Sequence, residues 1–234
     1  MFVNKTVPLF RPTTPGPKPA ILERAVRAFQ VGKPVLIHDF DDREGEVDLV
    51  YPALSVTPSA VARLRNDAGG LICVALAHDV AEAFDLPYLS DAITHPATAA
   101  DHLGYDERSS FSLTVNHRDT YTGITDADRA LTIASLGQAA SDPDAVSFAE
   151  AFRCPGHVHL LKAAPGLLRE RTGHTELALA LARRAGRAPA AVVCEMLDDE
   201  TGRALSKQSA RRYARRYDLP YVEGETLVRA LGDQ

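Results

Sequence analysis

Asp39 to Ala53 reads D-F-D-D-R-E-G-E-V-D-L-V-Y-P-A. The apolar run Pro34 to His38 enters it, and a second run, Val47 to Ala53, leaves it. Between them stand Asp39, Asp41, Asp42, Arg43, Glu44, Glu46 and Asp48, with Gly45 in the middle. Strand, charged turn, strand is the pattern of a hairpin. Two accounts of the charges stand at this point. Turns carry charges because water solvates them. Carboxylates this dense also repel one another, and acidic oxygens at a turn suit a hard divalent ion such as magnesium, which would relieve the repulsion.

Outward from the hairpin, the chain alternates irregularly between the two periods. Ile21, Leu22, Ala25, Val26 and Phe29 fall at helical spacing, and Gly32 closes that helix. Met1 to Pro19, with five prolines, reads as an extended arm. Thr57 caps a helix that has Pro58 at its first position and stops at Gly69-Gly70. Leu71 to Ala77 is apolar throughout and of strand length. Asp79 to Phe84 reads as a short helix. Asp85 to Ser110 shows no period, and so long an irregular segment is a candidate lid. Phe111 to Val115 alternates like a strand. Thr125 caps the next helix, with Asp128 at its third position. Val158 to Lys162 and Ala190 to Met196 read as strands. Leu177, Ala178, Leu181 and Ala182 share one face of a helix between them. Ser206 to Tyr217 is a basic amphipathic helix, Pro220 to Val222 a last strand and Glu225 to Leu231 a last helix. This order predicts an α+β fold: a single three-layer α-β-α domain, residues 1–234, with a mixed central sheet.

Composition narrows the function. The 234 residues are 45% apolar, enough for a full core, and the formal net charge is −5. An acidic balance argues against a nucleic-acid partner. No apolar stretch reaches the length of a membrane span, and Met1 to Phe10 lacks the apolar region of a secretory signal. Cys73, Cys154 and Cys194 are odd in number and widely spaced, which predicts a reducing, cytoplasmic setting.

Arg171 to Glu176 reads R-T-G-H-T-E at the start of a helix. Free N–H groups and the helix dipole make such a place an anion site, Arg171 can fork onto a phosphate, and Gly173 admits close approach. A plain helix cap at Thr172 or Thr175 is the other account of the same residues. His174 lies in the turn, off the apolar face. His157 and His159 would share one face of a strand. Cys73 and Cys194 read as inert core residues. Glu195 ends an apolar strand, which costs free energy unless it has a partner.

R-E-G-E-V-D, Y-T-G-I-T-D-A-D-R (Tyr121 to Arg129), R-C-P-G-H-V (Arg153 to Val158), R-T-G-H-T-E and V-C-E (Val193 to Glu195) occur together in this order. From about Ile21 to the C-terminus the chain resembles 3,4-dihydroxy-2-butanone 4-phosphate synthase in its archaeal-type, monofunctional form. The resemblance implies a homodimer. It also implies a magnesium-dependent lyase, manganese being the other candidate metal, that acts on D-ribulose 5-phosphate in riboflavin biosynthesis. Matched position by position, Glu44 and His174 become metal ligands. Arg43, Glu44, Asp48, Arg171, Thr172, Gly173, His174, Thr175 and Glu195 become substrate-binding residues. His157, Glu195 and Cys73 fall at active-site positions, and Glu46 joins them as a group able to move protons. His159 matches no functional position. Gly45, Val47 and Thr172 depart from the bacterial pattern without removing a titrating group. Two competing readings are a non-catalytic sugar-phosphate or nucleotide binder and a class II aldolase. The first would lose the proton-transfer groups. The second usually needs several histidines at its metal, whereas His174 alone stands out.

Overall fold

The computed structural model describes residues 17–98 and 103–232. In chain order the elements are α1 (Pro17–Gln30), β1 (Val35–His38), β2 (Val47–Pro52), α2 (Pro58–Arg63), β3 (Cys73–Leu76), α3 (His78–Ala83), α4 (Leu89–Ala92) and β4 (Phe111–His117). Then follow α5 (Asp126–Ala139), α6 (Ala145–Ala151), β5 (Phe152–Lys162), α7 (His174–Arg184), β6 (Ala190–Val193), β7 (Leu197–Asp198), β8 (Arg203–Ala204), α8 (Lys207–Arg216), β9 (Tyr221–Glu223) and α9 (Gly224–Leu231).

The charged turn does join two antiparallel strands, with Val35 opposite Val50 and Ile37 opposite Asp48. Seven strands form one sheet in the order β4-β5-β3-β6-β2-β1-β9. β1 runs parallel to β9 and β3 parallel to β5, while the other neighbours are antiparallel. The sheet is therefore mixed, as expected.

Side chains alternate across a strand, and here both faces are apolar. Leu36, Leu49, Val74 and Val192 pack on one side with Val61, Ile133 and Ala210 of α2, α5 and α8. Ile37, Val50, Cys73 and Ala191 pack on the other with Phe29, Leu177 and Leu227 of α1, α7 and α9. Two cores on one sheet make the three layers. Each fully buried Leu or Ile contributes roughly 1.5–3 kcal/mol. Asp48 shares the second face with Val50, beneath α7, and that placement matters for the site.

The helix starts follow their caps. Thr57, Thr125 and Ser206 each accept from the backbone N–H three residues on, at 3.1–3.2 Å. Asp144 does the same for α6, a helix that apolar spacing did not reveal. The extended arm needs correction at its end, because Pro17 to Pro19 open α1, where a missing N–H costs nothing. Residues 1–16 lie outside the described residues. β5 begins at Phe152, six residues earlier than expected, and register shifts in β4 accommodate it. β6 ends at Val193, after which Glu195 and Met196 make single bridges to Asp48 and Gly69. Among the described residues, no helix is long and apolar enough to cross a membrane.

α5 crosses the turn Ala53–Ser55 so closely that a Cβ on Gly137 would lie 2.4 Å from the backbone nitrogen of Leu54. Gly137→Ala should therefore destabilise the fold by about 1–3 kcal/mol. Urea unfolding should show a lower midpoint with an unchanged slope.

Candidate active site

β1 hands the chain to Asp39, whose side chain is 0% exposed. Asp39 Oδ1 accepts from the backbone N–H of Glu46 at 3.0 Å, and Oδ2 accepts from that of Glu44 at 3.1 Å. Arg43 Nη1 adds a third bond to Oδ2 at 3.2 Å. A short acidic side chain reaching forward onto backbone N–H groups fixes a turn. Gly45 supplies the left-handed residue it needs, at φ +69. The turn presents Glu44 and Arg43 to the start of α7.

Gly173 caps α7 from ordinary extended backbone, so conformation is not what it provides. A Cβ there would lie 2.5 Å from Arg171 Nη1 and 2.8 Å from Arg43 Nη2. Glycine lets two guanidiniums converge on the helix start. His174 follows, 6% exposed, with Nδ1 3.1 Å from Glu44 Oε2 and Nε2 3.7 Å from Asp48 Oδ1. Arg171 donates from Nε to Asp106 Oδ2 at 2.7 Å and from Nη1 to Glu176 Oε2 at 2.5 Å. Glu176 is fully buried, and its Oε1 accepts from the backbone N–H of Ala164 at 3.1 Å. Arg43 Nη2 reaches the same Asp106 oxygen at 2.8 Å, and its guanidinium lies 5.6 Å from the Tyr105 ring centroid.

Burial works to raise the Glu44 carboxyl, but His174 and Arg43 beside it hold it below its ordinary value. Burial raises Glu46, and the charges of Glu44 and Glu195 add to the rise. Asp48 is pushed up to about 8 by burial, with Glu195, Glu44 and Glu46 adding. Burial opposes the charged form of His174, yet the carboxylates of Asp48, Glu44 and Asp39 prevail and carry it up to about 9. Asp48 raises His174, whereas His174 works against the rise of Asp48, which burial and the other carboxylates cause. With the two side chains 3.7 Å apart, the physical content is one proton retained between them near neutral pH. Burial pushes the Cys73 thiol far up, so it stays protonated and is no resting nucleophile.

Arg43, Glu44, Asp48, Arg171, Thr172, Gly173, His174 and Thr175 thus gather where β1 and β2 meet the start of α7. Thr172 is half-buried, and Thr175 is 4% exposed. Glu46 and Glu195 adjoin them, close enough to raise each other's neighbour Asp48. Glu195 Oε2 accepts from the backbone N–H of Leu71 at 2.8 Å. Cys73 lies on the same face, in β3 opposite Val193 and His159. His157 is apart: it is exposed on β5, and its polar partner is Asn116, with ring and amide nitrogens 3.1 Å apart. His159 packs edge-on to Phe111 at 6.0 Å. Sequence reasoning gave no role to Asp39, Tyr105, Asp106 or Glu176. Asp39 and Glu176 end the two charged motifs and were findable there. Tyr105 and Asp106 lie in the segment without period.

Ligand atoms of Asp39, Glu44 and His174 lie within 4.8 Å of one another. The Asp39 oxygens are already engaged by the turn. Asp48 Oδ1 and His174 Nε2 are buried with no hydrogen-bond partner, which is costly unless an ion or water completes them. Carboxylate oxygens with one imidazole fit a hard divalent ion such as magnesium, which Glu44 and His174 could hold. Beside this cluster opens a cleft of about 820 Å³ lined by Arg43, Tyr105, Asp106, Arg108, Arg171 and Thr172.

Buried acids, a shared proton and two converging guanidiniums at one end of a mixed sheet define an enzyme's site. A sequence model of the 3,4-dihydroxy-2-butanone 4-phosphate synthase family matches residues 23–230, and the chain belongs to that family. The synthase of Archaeoglobus fulgidus is 50% identical over 218 residues, covering 88% of this chain and 92% of that protein. That of Methanosarcina mazei is 48% identical over 222 residues, covering 89% and 90%. A crystal structure of 3,4-dihydroxy-2-butanone 4-phosphate synthase in complex with two magnesium ions superposes with a TM-score of 0.78 at 31% identity, covering 91% of this chain and 97% of that one.

The turn makes its own test. In Asp39→Asn an amide NH₂ must face one of the N–H donors, and Arg43 loses a charge partner. Stability should fall by about 1–3 kcal/mol in urea unfolding. Asp42→Asn, at an exposed position of the same turn, should stay within about 0.5 kcal/mol.

Proposed function

We propose that the chain converts D-ribulose 5-phosphate to L-3,4-dihydroxy-2-butanone 4-phosphate and formate, in riboflavin biosynthesis. The observation that carries the reading is the meeting of Glu44 with His174, 130 residues later, beside the Arg43–Arg171 pair. The substrate equals the sum of the products, so no oxidant or second substrate is consumed. Arg43 and Arg171, with the backbone and hydroxyls of Thr172, Gly173 and Thr175, take the phosphate at the positive end of α7. A divalent cation on Glu44 and His174 would supply polarisation of the adjacent C2 and C3 oxygens.

The rest falls to the chain's own acids and bases. The C3 proton must leave to give an enediol, the C1 hydroxyl must depart as water, and after a carbon shift one water must add to the C4 carbonyl so that C4 can be expelled as formate. Glu46 and Asp48, both raised by burial and Asp48 to about 8, are suited to hold and return protons. Glu195, tied to Leu71 N–H, is placed to accept one. The segment 103–110 roofs the cleft and would keep water from the intermediates.

His157 bears on assembly. In β4 and β5 the α7-side face carries Phe111, 37% exposed, with half-buried Leu161 and exposed His157. An apolar edge of this kind is covered economically by a second copy. A role for His157 in catalysis and its distance from the cluster are both satisfied if it serves the site of that copy. We therefore propose a homodimer of single catalytic domains. Its proposed setting is the cytoplasm, where Cys73, Cys154 and Cys194 stay free thiols. Light scattering at micromolar concentration should give twice 25.3 kDa. A monomer mass would remove both the dimer and the role for His157.

Incubation with ribulose 5-phosphate and magnesium should release formate. EDTA should abolish the release, and added magnesium or manganese should restore it. Glu44→Gln keeps the shape and removes a ligand charge, and should lower formate production by at least about 100-fold with the fold intact. Full-rate release after EDTA, or two smaller carbonyl fragments in place of formate, overturns the reading.

A further inference from the structure

The two guanidiniums assigned to the phosphate are already bridged. One oxygen, Asp106 Oδ2, accepts from Arg43 Nη2 at 2.8 Å and from Arg171 Nε at 2.7 Å. Three other carboxylates touch these arginines. Asp39 and Glu176 have 0% side-chain exposure and are tied to backbone N–H groups of the scaffold. Glu44 is tied to His174. Those three hold the arginines in place. Asp106 differs, because among the described residues its second oxygen accepts only from the N–H of its own neighbour, Glu107. Its carrier is thinly attached: Gly104, Tyr105, Glu107 and Arg108 are exposed. Besides Asp106, among the described residues the stretch is fastened by the Tyr105 ring over Arg43 and by Arg108, which pairs with Asp91 at 2.6 Å and lies over the Tyr88 ring at 3.6 Å.

We propose that Asp106 is a built-in stand-in for the substrate's phosphate, filling the anion position between Arg43 and Arg171 in the free protein and leaving it when a phosphate monoester enters. The inference rests on the assignment of these two arginines to the phosphate. A phosphate brings three strong acceptor oxygens and up to two charges, whereas Asp106 offers the pair one oxygen, so exchange favours the phosphate. Until then the stand-in keeps two half-buried cations paired and aimed. Its cost is apparent affinity, since phosphate binds only the fraction of molecules in which Asp106 has let go. Release of Asp106 frees residues 103–109 to re-close over the occupied site, which couples phosphate binding to the roof of the cleft.

The test is calorimetric titration of inorganic phosphate into wild type, Asp106→Asn and Glu107→Gln at fixed chloride. Glu107 lines the same cleft and carries the same charge, but touches neither arginine. Asp106→Asn should bind phosphate about tenfold more tightly than wild type. Glu107→Gln should gain less than about twofold, the long-range effect of one exposed charge. Equal or weaker binding by Asp106→Asn overturns the proposal, because a carboxylate that merely positions the arginines must lose affinity when neutralised. An equal gain in Glu107→Gln overturns it too, by reducing the effect to net charge. Phosphate binding that persists in wild type through either result leaves the arginine assignment standing. No binding in any of the three removes Arg43 and Arg171 from phosphate recognition and takes both readings down. Thermal unfolding of each variant checks the fold.

Discussion

The carboxylate of Asp39 begins the turn and is used up by it: two backbone N–H groups and one guanidinium take all of its capacity. The rest of the site depends on those bonds. They fix the backbone of Glu44 and Glu46, and with it the direction of the carboxylates that meet His174 and Asp48. They also hold Arg43 against the start of α7, where the absence of a side chain at Gly173 makes room for it. A buried charge is tolerable only when it is paired and hydrogen-bonded. Asp39 satisfies that condition through local backbone, so the turn needs no distant partner to form. The distant partners then find a preformed shape.

Seven carboxylates, Asp39, Glu44, Glu46, Asp48, Asp106, Glu176 and Glu195, share this end of the sheet with two arginines and one imidazole. The acids outnumber the bases, and burial forbids full ionisation. A proton is therefore held on the His174–Asp48 pair, and Glu46 and Glu176 are also pushed up. The excess of acid has two consequences that favour chemistry. It leaves a deficit of positive charge that a divalent cation can fill. It also raises Glu46, Asp48 and Glu176 above the ordinary carboxylate range, which makes them better able to hold a proton.

Much of this was legible in the sequence because the signals are local. Apolar runs marked β1, β2 and β3, and caps at Thr57 and Thr125 marked where α2 and α5 begin. The anion turn was legible in R-T-G-H-T-E, since a glycine and an arginine at a helix start have few other uses. What stayed hidden has physical reasons. β5 runs back through Pro155 and Gly156, residues that break a strand pattern, and only pairing with a shifted β4 carries it. α6 is seven residues long, too short for an apolar period to show, and owes its start to the Asp144 cap. Glu176 looks like a routine acid in the first turn of a helix, and nothing local says that it is fully buried. Asp106 gives no periodic signal at all; its meaning lies wholly in two arginines 63 and 65 positions away. His157 is legible only by likeness to relatives, because a single chain gives it no partner among the acids.

The site also divides by rigidity. On one side stand α7, whose residues 174–182 are all buried, and a hairpin paired into the middle of the sheet. Such elements open only with the whole fold, so the side chains of Glu44 and His174 are held in fixed relative positions. On the other side, residues 103–109 rest on a few side-chain contacts and an exposed surface, the mark of a segment that opens at low cost. A reaction with unstable intermediates needs both properties at once: fixed groups for the chemistry and a cover that can be moved. Placing the cover's main anchor on the arginines themselves joins the two. If these arginines take the substrate's phosphate, as proposed, the groups that recognise its charge are the groups that hold the cover down, and one competition for the same donors sets both the occupancy of the site and the state of its roof.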